Sequence, residues 1–232
     1  MPLDTEILGH GVYTPREAAR LVGETPQQVL RWTRGSGPSD PLWPAYYQFI
    51  DDSTEISFLD LVEIRVVSAM RKSGISLQSI RYAIDFAQEK LNVAHPLSSR
   101  EFKVDGSEIL MDAIENDGEY ISLSKKRPGQ KVFREIVRQS LNDLEYDGDY
   151  VSRWRPRNHK SVVIDPSRNF GDPILDSFGI STSMLHREAK EFNDLNYLSE
   201  IYEIPLQVVR QAVAFEQSLD AEVKKTDGQR SI

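Results

Sequence analysis

Four polar side chains in one short stretch have the types and spacing to read nucleic acid. Gln27, Gln28, Arg31 and Arg34 fall at i, i+1, i+4 and i+7, so on a helix begun at Thr25 they share one face. A glutamine amide can meet adenine through two hydrogen bonds, and an arginine can meet guanine or a phosphate. An exposed helix carries a polar face in any case, so the spacing alone leaves DNA readout and simple solvation both open. Arg153, Arg155 and Arg157 form a second set. In an extended chain their alternation with Ser152, Trp154 and Pro156 turns all three guanidinium groups to one side. Such a row suits an anion, an acidic partner or a solvated strand edge.

Other routes to chemistry are closed by composition. The 232-residue chain holds no cysteine, which removes disulfide frameworks, thiolate zinc sites, iron–sulfur clusters and cysteine nucleophiles together. His10, His95, His159 and His186 lie far apart, with no spacing that sets two of them on one helix or strand as metal ligands. No cofactor or metal is therefore expected. Neither a nucleophile elbow, a P-loop nor a dinucleotide-binding glycine motif occurs, and His186 reads as a surface or half-buried helical residue rather than a base. Asp51 with Asp52, and Asp147 with Asp149, read as solvated turns, since 36 acidic residues make such neighbours common by chance. An enzyme is the least expected class.

Hydrophobic residues make up 39% of the chain and charged ones 28%, the balance of a globular protein of one to three domains. No apolar run nears the roughly 20 residues of a membrane-spanning helix. The opening MPLDTEILGH lacks the order of a secretory signal, so a cytoplasmic location with no membrane partner is expected. The formal charge of −8 is uneven: residues 101–150 hold 7 Lys/Arg against 12 Asp/Glu, while the flanking stretches are nearly balanced. An acidic protein attracts phosphate backbones poorly, so a nucleic-acid role must sit on one local patch and gain from dimerisation.

Two helix starts of the same kind would position the Gln and Arg face. Thr14 with Pro15 and Glu17 opens one helix, whose Ala18, Leu21 and Val22 form an apolar side before Gly23 stops it. Thr25 with Pro26 and Gln28 opens the next, covered by Val29, Leu30 and Trp32. Two short helices joined by a tight Gly-containing turn form a helix-turn-helix unit. From Gly35 to Asp52, Pro38, Pro41 and Pro44 interleave with Trp43, Tyr46, Tyr47 and Phe49, as in an aromatic loop or a short hairpin wing. Ser57 with Asp60 opens a third helix through Phe58, Leu61, Val62, Val66 and Ala69 to Gly74. Ser76 caps a fourth, where Leu77, Ile80, Ile84, Ala87 and Leu91 make one apolar seam, for the intrachain core in preference to a second subunit.

Beyond Pro96 the pattern changes. Phe102–Val104 alternates, Asp105-Gly106 is a strong hairpin signal and Ile109–Met111 follows, which predicts strand, turn, strand. Tyr120–Ser124 alternates again, and Val132–Leu144 is assigned to β although Val132, Ile136 and Val137 also suit a helix. Pro156–Lys160 reads as a linker. Ser161–Ile164 and Gly171–Leu175 give two short strands about a turn at Asp165-Pro166, and helices then open at Ser181, Asp194 and Pro205. Residues 220–232 lack periodicity and read as a flexible tail. The predicted class is α+β, mainly α. It has a winged helix-turn-helix head at 1–95, a small β-containing middle at 96–157, a small helical domain at 158–219 and the tail at 220–232.

Two stretches resemble known families. YTPREAARLVGETPQQVLRW, with GISLQSIR at 74–81, is similar to the opening helix pair and post-wing helix of MerR-type winged helix-turn-helix regulators, over residues 13–91. VVIDPSRNFGDPIL and IPLQVVRQAVAFE, within 161–219, resemble a small homeodomain-like domain of unknown function that recurs in VapB-type antitoxins. Their order is similar to one group of such antitoxins over most of the chain. The resemblance implies a protein encoded beside a PIN-like ribonuclease toxin, which it binds at an acidic metal site, and a homodimer that represses their shared operator DNA. DNA contacts would then fall on Gln27, Gln28, Arg31 and Arg34, with Tyr46 and Tyr47 from the wing. A cation would suit the toxin's carboxylates, and Arg153, Arg155, Arg157 and Arg168 are the candidates. Two departures stand out: Ser177-Phe178-Gly179 replaces a Gly-Thr-Arg of many relatives, and the aromatic wing is longer and less basic than in many MerR-type regulators. Alternatives from other classes are a stand-alone MerR-like regulator sensing a small organic ligand, and an interaction module whose helix-turn-helix no longer contacts DNA.

Overall fold

Helix α3 (Phe58–Lys72) runs through the centre of the molecule, and its sequence explains why. Phe58, Leu61, Val62, Ile64, Val66, Val67 and Met70 are all buried, so apolar side chains leave it on nearly every side. A capping box fixes its start: Ser57 Oγ accepts from Asp60 N (3.1 Å) and Asp60 Oδ2 accepts from Ser57 N (3.2 Å). The computed structural model describes residues 9–37, 39–50, 52–116 and 130–228.

Before α3 come α1 (Pro15–Val22) and α2 (Pro26–Arg34), both begun by a threonine cap and a proline in the first turn. Gly23, at φ 69°, closes α1 in a left-handed conformation that costs glycine little. After α3 come α4 (Leu77–Leu91), α5 (Arg100–Asn116) and α6 (Gln130–Leu141). Helix α4 packs on α5, α5 on α6, and α6 on α3. Ile80, Ile84 and Ala87 of the α4 seam are buried within this chain.

Two expected strand regions are helical. Residues 102–111, read as strand, turn, strand, lie inside α5, where Phe102, Ile109, Leu110 and Ala113 are buried at helical spacing. Gly106 sits one turn after Phe102, and a Cβ there would lie 3.0 Å from the Phe102 ring. The glycine therefore makes room for a fully buried aromatic and marks no turn. Val132–Leu144 is mostly α6, with Phe133, Ile136, Val137 and Leu141 turned inward. The predicted strand at Tyr120–Ser124 lies outside the described residues.

A hairpin follows: β1 (Leu144–Asp147) pairs antiparallel with β2 (Tyr150–Trp154), with Gly148 in the turn at φ 61° and a bulge at Glu145/Tyr146. Trp154 continues by paired 2.9 Å hydrogen bonds to Ile164, beside β3 (Val162–Val163), which pairs antiparallel with β4 (Ile174–Leu175). Helices α7 (Thr182–Phe192), α8 (Leu195–Ile201) and α9 (Leu206–Gly228) complete the chain. Ser181 and Asp194 cap the first two through their side chains, as their positions predict. Residues 220–228, expected as a tail, continue α9.

The fold is α+β, mainly α. Among the described residues, 35–52 form an aromatic loop with one turn of 3-10 helix at Tyr46–Phe49, not a two-stranded wing. One contiguous set of buried side chains extends from Tyr13 in the head to Leu219 in α9. No helix among the described residues is long and apolar enough to cross a membrane.

Candidate nucleic-acid and partner interface

The polar face of α2 divides into two parts. Gln27 and Arg31 are exposed and Gln28 is half-buried, while Val29, Trp32 and Thr33 on the other side are buried. Arg34 is directed elsewhere. Its guanidinium meets Asp52 Oδ1 (2.5 Å) and donates to the carbonyls of Ser53 (2.8 Å) and Asp52 (3.3 Å), fastening the end of the aromatic loop to α2. The expected four-residue face is thus Gln27, Gln28 and Arg31 with Arg34 as a brace.

The aromatic loop is anchored from within. Asp60 Oδ1 accepts from Trp43 Nε1 (2.8 Å) and Oδ2 from Tyr46 N (3.1 Å), so the carboxylate that caps α3 also holds the loop. Arg81 of α4 donates to the carbonyls of Asp40 (2.7 Å) and Pro41. Tyr47 is buried, and its hydroxyl donates to the Gly11 carbonyl (2.6 Å); burial pushes its phenol up to about 12. It cannot reach a ligand outside. Tyr46 is half-buried, stacked on His10 with ring centroids 4.8 Å apart. Three residues per turn put Tyr46 and Phe49 on one side of the 3-10 turn, and Phe49, 75% exposed, is the aromatic that this loop presents.

The four arginines named as partner contacts are all engaged inside the chain. Arg153 Nε lies 3.0 Å from Asp165 Oδ2. Arg155 meets Glu145 (2.9 Å) and Asp176 (2.8 Å), Arg168 meets the other Asp176 oxygen (2.7 Å), and Arg157 donates to the Arg138 carbonyl (2.5 Å). Burial works against ionisation of Asp176, but hydrogen bonds from Arg155 and Arg168 outweigh it and hold the carboxyl below its ordinary range. These side chains tie the hairpin to the β3–β4 region. Arg153, 45% exposed, presents the most charge to solvent among those with a carboxylate partner.

A further contact joins the head to the last helix. Val12 N donates to Phe170 O (2.8 Å) and Tyr13 Oη to Gly171 O (2.9 Å). Arg20 of α1 meets Glu216 and Asp220 of α9, each at 2.7 Å, and Thr182 Oγ1 donates to the other Glu216 oxygen. The Arg20 hydrogen bond holds the Asp220 carboxyl below its ordinary range. Beside this clamp lies a cavity of about 320 Å³ lined by Tyr13, Glu17, Arg20, Phe170, Asp172 and Glu216 among others. Burial raises the Asp172 carboxyl there. Sequence reading took Asp60 only as a helix cap and did not single out Arg20 or Arg81; the loop and helix partners of the three lie 14 to 200 positions away.

No family model matches the chain. It is similar to a protein named "Putative antitoxin VapB45". That relative, from Mycobacterium tuberculosis (strain ATCC 25618 / H37Rv), is 27% identical over 188 residues, which spans 73% of this chain and 78% of VapB45. Among solved structures, the crystal structure of RV2018 from Mycobacterium tuberculosis aligns with a TM-score of 0.69 at 25% identity, covering 87% of this chain and 96% of that one. The helix pair at 15–34 is 20 residues long, whereas the matches to VapB45 and RV2018 cover 73% and 87% of this chain, so neither likeness rests on that pair alone.

Proposed function

We propose that this chain is the antitoxin of a toxin–antitoxin pair. It binds and neutralises a PIN-like ribonuclease toxin and, as a homodimer, represses their common operon through α1 and α2. The observation that carries this reading is the match to a protein named as an antitoxin over most of both chains. Gln27, Gln28 and Arg31 support DNA readout because they share the open side of a helix whose other side is packed against α1 and the core. Arg34 acts by bracing the loop that carries Tyr46 and Phe49. The residues at 1–95 serve as the DNA-binding part, and those beyond them hold the partner and the dimer. The protein is non-enzymatic in this scheme.

Two measurements test it. DNA from upstream of its own gene should shift on a gel with an affinity that falls steeply with salt. The product of the adjacent small reading frame should copurify with the chain and arrest growth only when the chain is absent. A harmless, non-binding neighbour would overturn the antitoxin reading.

One observation favours a second reading, a regulator that senses a small organic ligand. The cavity beside Arg20 lies directly behind α1, so an occupant there would bear on the head. A ligand screen by thermal shift, with Phe170→Ala as control, tests it.

A further inference from the structure

Helices α7 and α8 leave one apolar group uncovered. Phe192, Tyr197 and Ile201 are 48%, 42% and 53% exposed. They are contiguous: the rings of Phe192 and Tyr197 lie 5.1 Å apart, and Ile201 stands one turn after Tyr197 on α8. Leu198 of the same helix is fully buried, so α8 turns one edge to the core and leaves the other open. Solvent-facing aromatic and β-branched side chains grouped this way mark a contact surface more often than isolated ones do.

Charge around the group narrows the occupant. Glu191, Asp194, Glu200 and Glu203 surround it in sequence and are exposed, and among the described residues none of them forms an ion pair with a cation. The local cations are Arg187 and Lys190, and Lys190 Nζ lies 3.8 Å from Asp220. Glu188 accepts from Tyr202 Oη (2.7 Å). An acidic rim repels nucleic acid. In a two-fold pair of this chain each face would meet its own copy, bringing carboxylates against carboxylates.

We propose that Phe192, Tyr197 and Ile201 form the centre of a docking surface for a partner protein whose contact face is apolar in the middle and rimmed by lysine and arginine. Resting on the antitoxin reading above, that partner is the toxin. Its anchoring contact then lies on α7 and α8, and not on the arginines at 153–168, of which Arg153, Arg155 and Arg168 meet Asp165, Glu145 and Asp176 and Arg157 donates to the Arg138 carbonyl. Buried apolar centres supply affinity and charged rims supply selection and association rate.

The full chain is coexpressed with the adjacent gene product, and two variants are compared with it. Phe192→Ser/Ile201→Ser empties the centre, and Glu200→Lys/Glu203→Lys reverses the rim. Both pairs are exposed, so melting temperature and operator shift should stay unchanged. Each variant should lower toxin affinity by about 10-fold or more. If the wild-type chain captures the toxin and both variants do so equally well, the surface is wrong and the antitoxin reading stands. If the wild-type chain fails to capture it, the antitoxin reading fails and this assignment with it. A variant that turns the isolated protein from dimer to monomer in sedimentation makes a second copy the occupant, and one that abolishes the operator shift makes it DNA; either overturns the proposal.

Discussion

Replacing Arg20 by methionine should loosen the head from α9 at a cost that a second substitution largely removes. The guanidinium reaches Glu216 Oε2 and Asp220 Oδ1, each at 2.7 Å, and also donates to the Glu216 carbonyl at 3.2 Å. The Glu216 side chain is 2% exposed and Arg20 30%. Losing the arginine therefore leaves a carboxylate shielded from water, with the Thr182 hydroxyl as its donor. Removing one member of a buried pair costs about 3–5 kcal/mol, and water access on the Arg20 side puts this case near about 3 kcal/mol. At about 2–4 °C of melting temperature per kcal/mol for a chain of this length, the fall is about 6–12 °C. In the Glu216→Gln background no carboxylate is stranded, and Arg20→Met should cost about 1 kcal/mol. Chemical denaturation of the four proteins at neutral pH measures the cycle. Equal costs of Arg20→Met in both backgrounds would refute the clamp.

Other expectations follow from single contacts. Burial drives the Glu63 carboxyl well above its ordinary range, with Asp60 adding to the effect. The folded chain then keeps a proton that the unfolded chain has lost, so stability falls as pH rises from the ordinary glutamate range through the raised value. Glu63→Gln should flatten that decline, and melting curves from about pH 5 to about pH 8 that stay parallel for the two proteins would contradict it. Gly171→Ala should destabilise by about 2–5 kcal/mol, because φ is +87° and the new Cβ would meet Tyr13 Oη at 2.1 Å and Cζ at 2.7 Å. Adding Tyr13→Phe should recover part of this, since it removes the first clash and leaves the second; no recovery in denaturant melts would place the strain elsewhere. Gln27→Ala and Arg31→Ala should weaken operator binding by about 1–3 kcal/mol each with unchanged melting. Arg34→Ala should instead lower melting temperature first, by freeing the loop at Asp52 and Ser53.

Local grammar was the legible part of this fold. The Thr-Pro starts of α1 and α2, the Ser57–Asp60 box and the caps of α7 and α8 act within four residues, and each forms as its residue types dictate. Among the described residues of the middle of the chain the dipeptide Asp-Gly occurs twice, with opposite outcomes. At 105–106 it lies in α5, because Phe102 needs the space that Gly106 leaves. At 147–148 it makes the β1–β2 turn, flanked by the alternating burial of β1 and by buried Val151 and Trp154 of β2. Turn chemistry alone does not separate the two; the buried spacing of Phe102, Ile109, Leu110 and Ala113 does. For the candidate interface, exposure was legible where it follows from helix geometry, at Gln27 and Arg31. It was not where side-chain fate depends on distant partners. Tyr47 is buried and its hydroxyl donates to the Gly11 carbonyl, Arg34 is taken up by Asp52 and the Ser53 carbonyl, and Asp176 collects both Arg155 and Arg168.

The most direct test of the antitoxin reading is inhibition in solution. Purified product of the adjacent gene, assayed for RNA cleavage, is titrated with the full chain. Cleavage should fall to background at a fixed, stoichiometric ratio while the two proteins elute together. Cleavage that continues at saturating chain, or a neighbour with no nuclease activity, would contradict it.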